Sequence, residues 1–337
     1  MSENCLGFDD IILEPKYSTL KSRSEANTNI EVWKHTLVAP IISSNMKTVT
    51  NSKMAIAMWD VGGIGALHRF NSIEENVEEY RRVYNSIYKV NKHNSLRDCF
   101  VSIGVNLEDR ERAEALYDAG ARMFIIDIAH GHSANMKEML HWLQKEFGTD
   151  EVFYMAGNVA TWKGAHDLIT WGAHAIKAGV GPGSVCKTIN VTGVTVPQAQ
   201  AVRTVVHAAK ESSQLYGRKF YVVADGGCTE IGDVCKAIGL GADMVMSGRF
   251  FAGCNEAPQG TLYRGSASEA VQTKYRTERT VMPTPEGTTE MLEQRGPVGD
   301  VVELIAGGLR SAFSYSNAKN MKEFHNQCKF GIRHNKS

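Results

Sequence analysis

The sequence has no excess of charge of either sign and no long hydrophobic run. Its 337 residues carry 37 Lys plus Arg against 37 Asp plus Glu, whereas nucleic acids select proteins with an excess of clustered basic residues. The longest apolar stretches, 54–59 and 301–309, are short or interrupted, far from the about 20 apolar residues that cross a bilayer. We therefore expect a protein that binds neither nucleic acid nor membrane.

Cysteine pairs and a leader sequence are also lacking. The seven cysteines are odd in number and form no CxxC pair, which fits the reducing cytosol better than a disulfide framework. Residues 1–10 contain acidic residues but neither a basic stretch nor an apolar core, so nothing there resembles a secretory signal. These features predict a cytoplasmic protein.

Eight short apolar runs follow one another along the chain, most of them followed by a segment with helical periodicity. The runs are 37–43, 63–67, 100–104, 123–127, 152–156, 173–178, 220–225 and 244–248, and the helical patterns include 73–90, 108–120, 134–147, 161–172, 198–212 and 231–240. Alternating strands and helices predict a parallel sheet, and eight units favour a closed (β/α)8 TIM barrel over an open doubly wound sheet. The phosphate-binding fingerprints typical of the open alternative, GxGxxG and GxxxxGK[ST], do not occur.

The segment 255–299 interrupts the alternation of strands and helices. It holds several of the eight prolines and shows little apolar periodicity, which is typical of a functional loop or lid, or of a disordered segment. The helical pattern 300–313 would then close the barrel. We predict one catalytic barrel domain over residues 1–325, with a lid at about 255–299 after the eighth strand, and a peripheral tail over residues 326–337.

Polar residues gather where the predicted strands end. In barrel enzymes the catalytic groups lie at the carboxyl ends of the strands and in the loops that follow. In chain order these ends hold Ser44, Asn45 and Met46; His68 and Arg69; residues 127–132; Gly157 and Asn158; residues 179–188; residues 225–227; and Ser247, Gly248 and Arg249.

The loop after the sixth strand carries the strongest signal. Gly179, Gly181 and Gly183 permit a close approach of the backbone and expose amides and carbonyls to a ligand or an ion. Cys186 in the same loop is a candidate nucleophile, because an exposed thiol with a lowered pKa attacks as the thiolate. The alternative is a small, buried apolar side chain.

Other strand-end residues leave alternatives open. Asp225 precedes two glycines and suits sugar hydroxyls and a phosphate, or it caps the strand at a tight turn. His130 and His132 are weak candidates for metal ligands, and hydrogen-bonded loop histidines are favoured. Asp127 equally suits a helix cap, and Glu286, on pattern alone, a solvated turn.

Several motifs together resemble the IMP dehydrogenase and GMP reductase family. The motifs are GPGSVCKT at 181–188, DGG at 225–227 and IDIAHGHS at 126–133, accompanied in the expected order by FDDIILEP at 8–15, SRS at 22–24, SNM at 44–46, AGNV at 156–159 and GGLRS at 307–311. The resemblance spans nearly the whole chain. It implies a barrel that binds a purine nucleoside monophosphate and a loop cysteine that attacks purine C2.

The resemblance also implies roles for individual residues. Cys186 would be the nucleophile, with Thr188 and Glu286 handling the group that leaves or enters C2. The implied substrate-binding residues are Ser184, Asp225, Gly226, Gly227, Gly248, Arg249, Gly265, Ser266, Ser268 and Gly287. The implied cofactor, NADPH, would contact Arg69, Asp127, Ile128, Ala129 and Gly179. A monovalent cation, K⁺, would be bound by the backbone carbonyls of Gly181, Gly183 and Cys186, and the family assembles as homotetramers.

The predicted lid holds the residues that separate the two reactions of the family. Reductases carry a Glu-Gly pair that handles ammonia, which Glu286 and Gly287 resemble, whereas dehydrogenases carry an Arg-Tyr pair that activates water, and most carry inserted CBS modules that this barrel lacks. The resemblance therefore implies NADPH-dependent reductive deamination of GMP to IMP and ammonia. Oxidation of IMP to XMP with NAD is the alternative, and a purine-nucleotide-binding barrel without turnover is another.

Two positions depart from the family pattern. Lys187 stands where Thr or Ile is common, and Arg249 stands where reductases usually have Gly. A new cation beside the nucleotide would alter substrate choice, for example toward a deoxynucleotide, unless Lys187 points into solvent. No local motif separates NADPH from NADH.

Overall fold

Eight parallel strands form a closed barrel in a computed structural model that describes residues 6–90, 99–268 and 284–333. The strands are β1 (Ile41–Ser43), β2 (Ile64–Leu67), β3 (Phe100–Ile103), β4 (Met123–Asp127), β5 (Phe153–Val159), β6 (Ala175–Ala178), β7 (Tyr221–Asp225) and β8 (Met244–Ser247). Each strand pairs with its neighbours in the chain, and β8 pairs with β1, with Val245 opposite Ile41. The predicted TIM barrel is confirmed, and each predicted apolar run overlaps one of its strands; β5 extends three residues beyond the run at 152–156.

A helix follows each strand. The eight helices are α1 (Ser52–Asp60), α2 (Ile73–Val90), α3 (Leu107–Asp118), α4 (Ala134–Phe147), α5 (Trp162–Thr170), α6 (Gln198–Tyr216), α7 (Ile231–Gly239) and α8 (Val298–Tyr315). Side chains cap several of them; for example, the Ser133 hydroxyl accepts from Met136 N at the start of α4. The sequence pattern does not predict α1, because apolar residues occur around most of that helix and the contrast between its faces is weak.

The core lies inside the barrel and between the barrel and its helices. All residues of β2, β3, β6 and β8 are buried, because a parallel barrel is covered on both faces. Most of these residues are aliphatic or aromatic. Lys177 in β6 is a charged exception, with 1% of its surface exposed.

Among the described residues, three antiparallel pairs lie outside the barrel, one of them in the lid segment, and the sequence pattern predicts none of them. The hairpin of Ile30–Val32 and His35–Leu37 covers the amino ends of the strands, where Trp33 N donates to the Tyr221 hydroxyl at 3.1 Å. The segments Ile11–Leu13 and Phe330–Ile332 pair with each other. The hairpin closes one end of the barrel and leaves the carboxyl end for a site.

The carboxyl-terminal segment is anchored to the rest of the chain. The predicted boundary between residues 325 and 326 falls inside the helix Met321–Gln327, and Phe330–Ile332 after it belongs to the pair described above. No helix among the described residues is long and apolar enough to cross a membrane.

The connection from β8 to α8 contains the predicted lid. Within it, Leu262–Arg264 pairs antiparallel with Thr289–Met291, with Tyr263 opposite Glu290. Residues 269–283 of this segment lie outside the described residues. The pair gives the described part of the segment a fixed place against the barrel mouth.

Candidate active site

A cavity of about 580 Å³ opens at the carboxyl ends of the barrel strands. The predicted site residues that line it are Arg69, Asp127, Ile128, Ala129, Gly179, Gly181, Gly183, Cys186, Thr188, Asp225, Gly226, Gly248, Gly265, Ser266, Glu286 and Gly287. Ser184, Gly227, Arg249 and Ser268 are not in its wall, although each adjoins a lining residue in sequence. The strand ends and the lid thus contribute to one cavity, where barrel enzymes place their chemistry.

The side chains of Cys186, Thr188 and Glu286 contact one another in succession. Cys186 Sγ lies 3.1 Å from Thr188 Oγ1, and Thr188 Oγ1 donates to Glu286 Oε2 at 2.7 Å. A hydroxyl that donates to a carboxylate keeps its lone pairs for a second donor. This arrangement can carry a proton between a group at the thiol and the carboxylate.

Backbone hydrogen bonds dock the lid onto the loop that holds the thiol. Lys187 N donates to Glu286 O at 2.6 Å, and Thr288 N donates to Val185 O at 2.9 Å. Gly287 lies between these contacts, where an added Cβ would come within 2.7 Å of the backbone nitrogen of Ser268. Only glycine fits there, which explains why a glycine follows the carboxylate.

Lys177 lies at the base of the cavity between two carboxylates. Its Nζ is 2.7 Å from Asp127 Oδ1 and 2.9 Å from Asp225 Oδ2. Burial alone would lower the pKa of this ammonium, but the two carboxylates outweigh burial and raise it. Burial likewise opposes ionisation of Asp127, yet Lys177 and Arg69 hold the pKa of Asp127 below its usual value. Lys177 and Asp127 therefore form a buried ion pair, and Asp225 contacts the same ammonium.

Two amide side chains bond to these carboxylates, and a third holds the backbone of Asp225. Asn45 Nδ2 donates to Asp127 Oδ2 at 3.0 Å, and Asn158 Nδ2 donates to Asp225 Oδ2 at 2.9 Å. Gln198 Nε2 donates to the backbone oxygen of Asp225 at 3.1 Å. The sequence pattern assigns no role to Lys177 or to these amides. The sequence does contain one feature that indicates the cluster. Lys177 lies inside an apolar strand, and lysine is rarely buried without a charged partner.

The glycines near β7 and β8 permit close backbone packing. Gly226 and Gly227 have positive φ angles of 79° and 76°, and an added Cβ at Gly248 would meet Met46 Sδ at 2.7 Å. Side chains at these positions would strain the backbone or fill the space beside the cavity. The loops after β7 and β8 are also where barrels commonly bind phosphate.

The two departures from the family pattern lie in different surroundings. Lys187 is exposed and is not part of the cavity wall. Arg249 Nη1 donates to Ser184 Oγ at 3.1 Å and to the Glu290 carboxylate oxygens at 3.0 and 2.8 Å. Arg249 thus connects the loop after β6 to the lid, whereas Lys187 points away from the site.

The loop after β6 has carbonyl groups suited to a cation. Gly181 has a φ of 78°, and Gly183 O accepts from Cys186 N at 2.9 Å. Within the described ranges, no hydrogen-bond donor reaches the carbonyl oxygens of Gly181 or Cys186. Two of the three predicted carbonyl ligands therefore retain their full acceptor capacity.

One of the two loop histidines has a hydrogen-bonded protein partner. His132 Nε2 lies 2.8 Å from Asp167 Oδ2, whereas His130 is exposed and its ring centre lies 6.4 Å from that of His132. No group of three His, Cys, Asp or Glu side chains suited to a metal ion occurs in the described part of the chain. The arrangement of His132 agrees with a hydrogen-bonded loop histidine.

The side of the cavity near β2 has an unsatisfied donor. Arg69 lines the cavity, its guanidinium lies 5.0 Å from the centre of the Phe70 ring, and its Nε is buried without a hydrogen-bond partner among the described residues. Such a donor fits an anionic or polar ligand group. The position suits the nicotinamide cofactor that the resemblance implies.

A linked thiol, hydroxyl and carboxylate beside a buried ion cluster, at the mouth of a barrel, are the arrangement of an enzyme active site. The chain belongs to the IMP dehydrogenase / GMP reductase family, whose domain model matches residues 5–337. The resemblance drawn from the sequence motifs is confirmed.

Several relatives in the family are reductases by name. The chain is 35% identical to the GMP reductase of Citrobacter koseri and 36% identical to that of Escherichia coli O81, in each case over 341 aligned residues covering 96% of this chain and 94% of the relative. A solved GMP reductase from Trypanosoma brucei, a cysteine-to-alanine variant in complex with guanosine 5′-monophosphate, superposes with a TM-score of 0.87. That comparison has 28% identity and covers 98% of this chain and 96% of the other.

Proposed function

We propose that this protein is a GMP reductase, which converts GMP to IMP and ammonia with NADPH as the hydride donor. The proposal rests on the successive contacts between three side chains. Cys186 Sγ lies 3.1 Å from Thr188 Oγ1, which lies 2.7 Å from Glu286 Oε2. The reductase names of the relatives and the GMP in the related structure support this substrate.

The proposed chemistry begins at the thiol. The Cys186 thiolate adds to C2 of GMP, and the amino group on C2 takes up a proton and leaves as ammonia. Glu286 holds and returns the protons through the Thr188 hydroxyl, because that hydroxyl contacts both the sulfur and the carboxylate. NADPH, when bound, supplies the hydride to C2, and the release of the thiolate yields IMP.

The proposed substrate contacts follow from the cavity walls. Asp225, fixed by Lys177 and Asn158, accepts from the ribose hydroxyls. Beside the wall, Ser184 and Arg249 join the backbone amides of Gly227 and Gly248 around the phosphate, and Gly226, whose amide donates to Met246 O, allows the backbone to approach it. The remaining predicted substrate contacts, Gly265, Ser266, Ser268 and Gly287, belong to the lid beside the thiol loop.

The cofactor and cation sites extend the proposal. The residues that would contact the cofactor are Arg69, Asp127, Ile128, Ala129 and Gly179, and all five line the cavity. The carbonyls of Gly181, Gly183 and Cys186 would bind K⁺, which would hold the thiol loop in shape. By the same family resemblance we propose NADPH rather than NADH, a homotetramer and a cytoplasmic location.

Turnover tests the function and the nucleophile together. We expect absorbance at about 340 nm to fall when NADPH and GMP are added to the protein, because hydride transfer consumes NADPH. Cys186→Ala should abolish the fall, whereas Cys328→Ala, which removes another partly exposed thiol outside the site, should not.

Other outcomes would replace the proposal. A rise in absorbance with NAD and IMP would identify a dehydrogenase. If the absorbance changes in neither assay, and GMP or IMP binds equally well to the wild type and to Cys186→Ala, the protein is a nucleotide-binding barrel without turnover.

A further inference from the structure

Lys177 lies in the wall of the barrel, and the proposed chemistry assigns it no contact with the substrate. Its side chain is 2% exposed and its neighbours in β6, Ile176 and Ala178, are fully buried. An ammonium in such surroundings is unfavourable unless opposite charges compensate it. Asp127 and Asp225 provide that compensation, at 2.7 and 2.9 Å.

The two carboxylates belong to different halves of the proposed site. Asp225 is the last residue of β7, on the side proposed for the nucleotide ribose, and Asp127 is the last residue of β4, on the side proposed for the cofactor. Lys177 and Asn158 both donate to Asp225 Oδ2, and no hydrogen bond within the described ranges reaches Asp225 Oδ1. That second oxygen is therefore left to accept from a ligand.

We infer that Lys177 is a positioning residue that joins the nucleotide half and the cofactor half of the site into one charged unit. The inference rests on the proposed function. Through Lys177, the carboxylate that accepts from the ribose and the carboxylate beside the cofactor keep a fixed separation. The purine and the hydride donor are thereby aligned, and alignment of reacting groups is a large part of catalysis.

Removal of the ammonium would leave two like charges close together. Both carboxylates bond to the same nitrogen, so their oxygens lie within about 6 Å of each other, a range over which one carboxylate raises the pKa of another. Burial acts in the same direction. Without Lys177, one carboxylate would hold a proton near neutral pH or turn away, and the acceptors of both halves would be disturbed.

Equilibrium binding separates positioning from turnover. We would titrate GMP and, separately, NADP⁺ into the wild type and Lys177→Met, between about pH 5.5 and pH 8.5. Lys177→Met should bind each ligand at least about tenfold more weakly at pH 6. Its affinity for GMP relative to the wild type should rise with pH as the shared proton is lost, because titration of the GMP phosphate, with a second pKa of about 6, affects both proteins alike.

A matched control is Lys219→Met at the opposite end of the barrel. Lys219 Nζ lies 2.8 Å from Asp243 Oδ1, a buried carboxylate before β8, so the same substitution removes another lysine from a buried aspartate. We expect both ligand affinities and their pH dependence to match the wild type in this variant.

A double variant tests whether repulsion between the two carboxylates causes the loss of affinity. It also provides a second measurement if Lys177→Met folds poorly. In Lys177→Met with Asp127→Asn, the like-charge repulsion is gone. GMP affinity should return to within about threefold of the wild type and follow the wild-type pH dependence, while NADP⁺ affinity stays low. The inference is overturned if Lys177→Met binds both ligands like the wild type, if its loss of affinity is independent of pH, or if the double variant binds GMP no better than the single variant. Failure of the wild type to bind or turn over GMP would instead overturn the proposed function.

Discussion

The Thr188 hydroxyl has two partners of different character, the thiol of Cys186 and the carboxylate of Glu286. The order of these groups matters, because the hydroxyl separates the nucleophile from the charged oxygen while keeping them connected. A carboxylate in direct contact with the thiol would oppose formation of the thiolate. The intervening hydroxyl lets one acid–base group serve both the sulfur and the departing amine.

Thr188→Val should remove this connection with little change in shape. We expect kcat for GMP to fall by about 10²- to 10⁴-fold, because positioned acid–base catalysis contributes that much, with KM changed by less than about threefold. Thr188→Ser, which keeps the hydroxyl, should retain most of the activity. Thr188 begins a short helix, Thr188–Thr192, and Thr192→Val at the other end of that helix serves as a control. Steady-state kinetics of the three variants provide the measurement, and equal losses in Thr188→Val and Thr192→Val would contradict the role.

Sequence motifs identify the residues that meet the substrate more readily than those that hold them. Cys186, Asp225 and the loop glycines stand out because their types and spacing are unusual in a loop. Lys177 lies in a four-residue strand between aliphatic residues, and its partners are 50 and 48 positions away in the sequence. Such a cluster exists only once the barrel has brought three strand ends together.

The lid, whose strands Leu262–Arg264 and Thr289–Met291 pair with each other, contacts the loops at the barrel mouth at few points. Backbone bonds join residues 185–187 to residues 286–288, and the Arg249–Glu290 ion pair adds a side-chain contact. Both side chains are partly exposed, so we expect the pair to contribute less than about 1 kcal/mol to stability. Its importance would lie in ligand binding, because the guanidinium also bonds to Ser184.

Arg249→Met should raise KM for GMP by about tenfold, because it removes a cation beside the proposed phosphate site. Glu290→Gln should lower KM, since the Glu290 carboxylate no longer competes with the phosphate for the guanidinium. Initial rates across GMP concentrations at low and moderate salt measure both effects. Similar increases in the two variants would show instead that the pair acts by holding the lid.

Elements with a strong local pattern are predicted well, and elements that depend on distant partners are not. The strands and most helices follow from apolar runs and periodicity. Ile11–Leu13 has three residues and pairs with a segment more than 300 positions away, so no local pattern predicts it. The hairpin at the amino end is similar, because its short strands are stabilised by contacts with the barrel.

Across the whole molecule, buried histidines set the response to acid. Burial lowers the pKa of His35, His68 and His174 to about 4 in each case, with nearby cations acting in the same direction. These rings are neutral in the folded protein, and His174 Nδ1 accepts from Tyr154 N at 3.1 Å. The unfolded chain binds more protons between about pH 4 and pH 6.5, so stability falls as pH falls through that window.

His35→Phe should weaken the dependence of the free energy of unfolding on pH. The ring packs between Trp33 and Trp59, and neither of its nitrogens has a hydrogen-bond partner among the described residues. We expect the loss of unfolding free energy between pH 6.5 and pH 4 to shrink by up to about 3 kcal/mol. Urea unfolding across this pH range measures the slope, and the value at pH 7.5 corrects for changed packing. An unchanged slope would show that His35 does not contribute.

The strands Ile11–Leu13 and Phe330–Ile332 pair with each other and bring distant parts of the chain close together. Arg333 N donates to Asp10 O at 2.7 Å, beside the ladder that places Ile11 opposite Ile332. A short linker could join these neighbouring positions, and the backbone could then be opened in an exposed turn such as that at Gly148 without separating any two strands of the barrel. Such a circularly permuted chain would begin with a different strand, while the order of the strands around the barrel would stay the same.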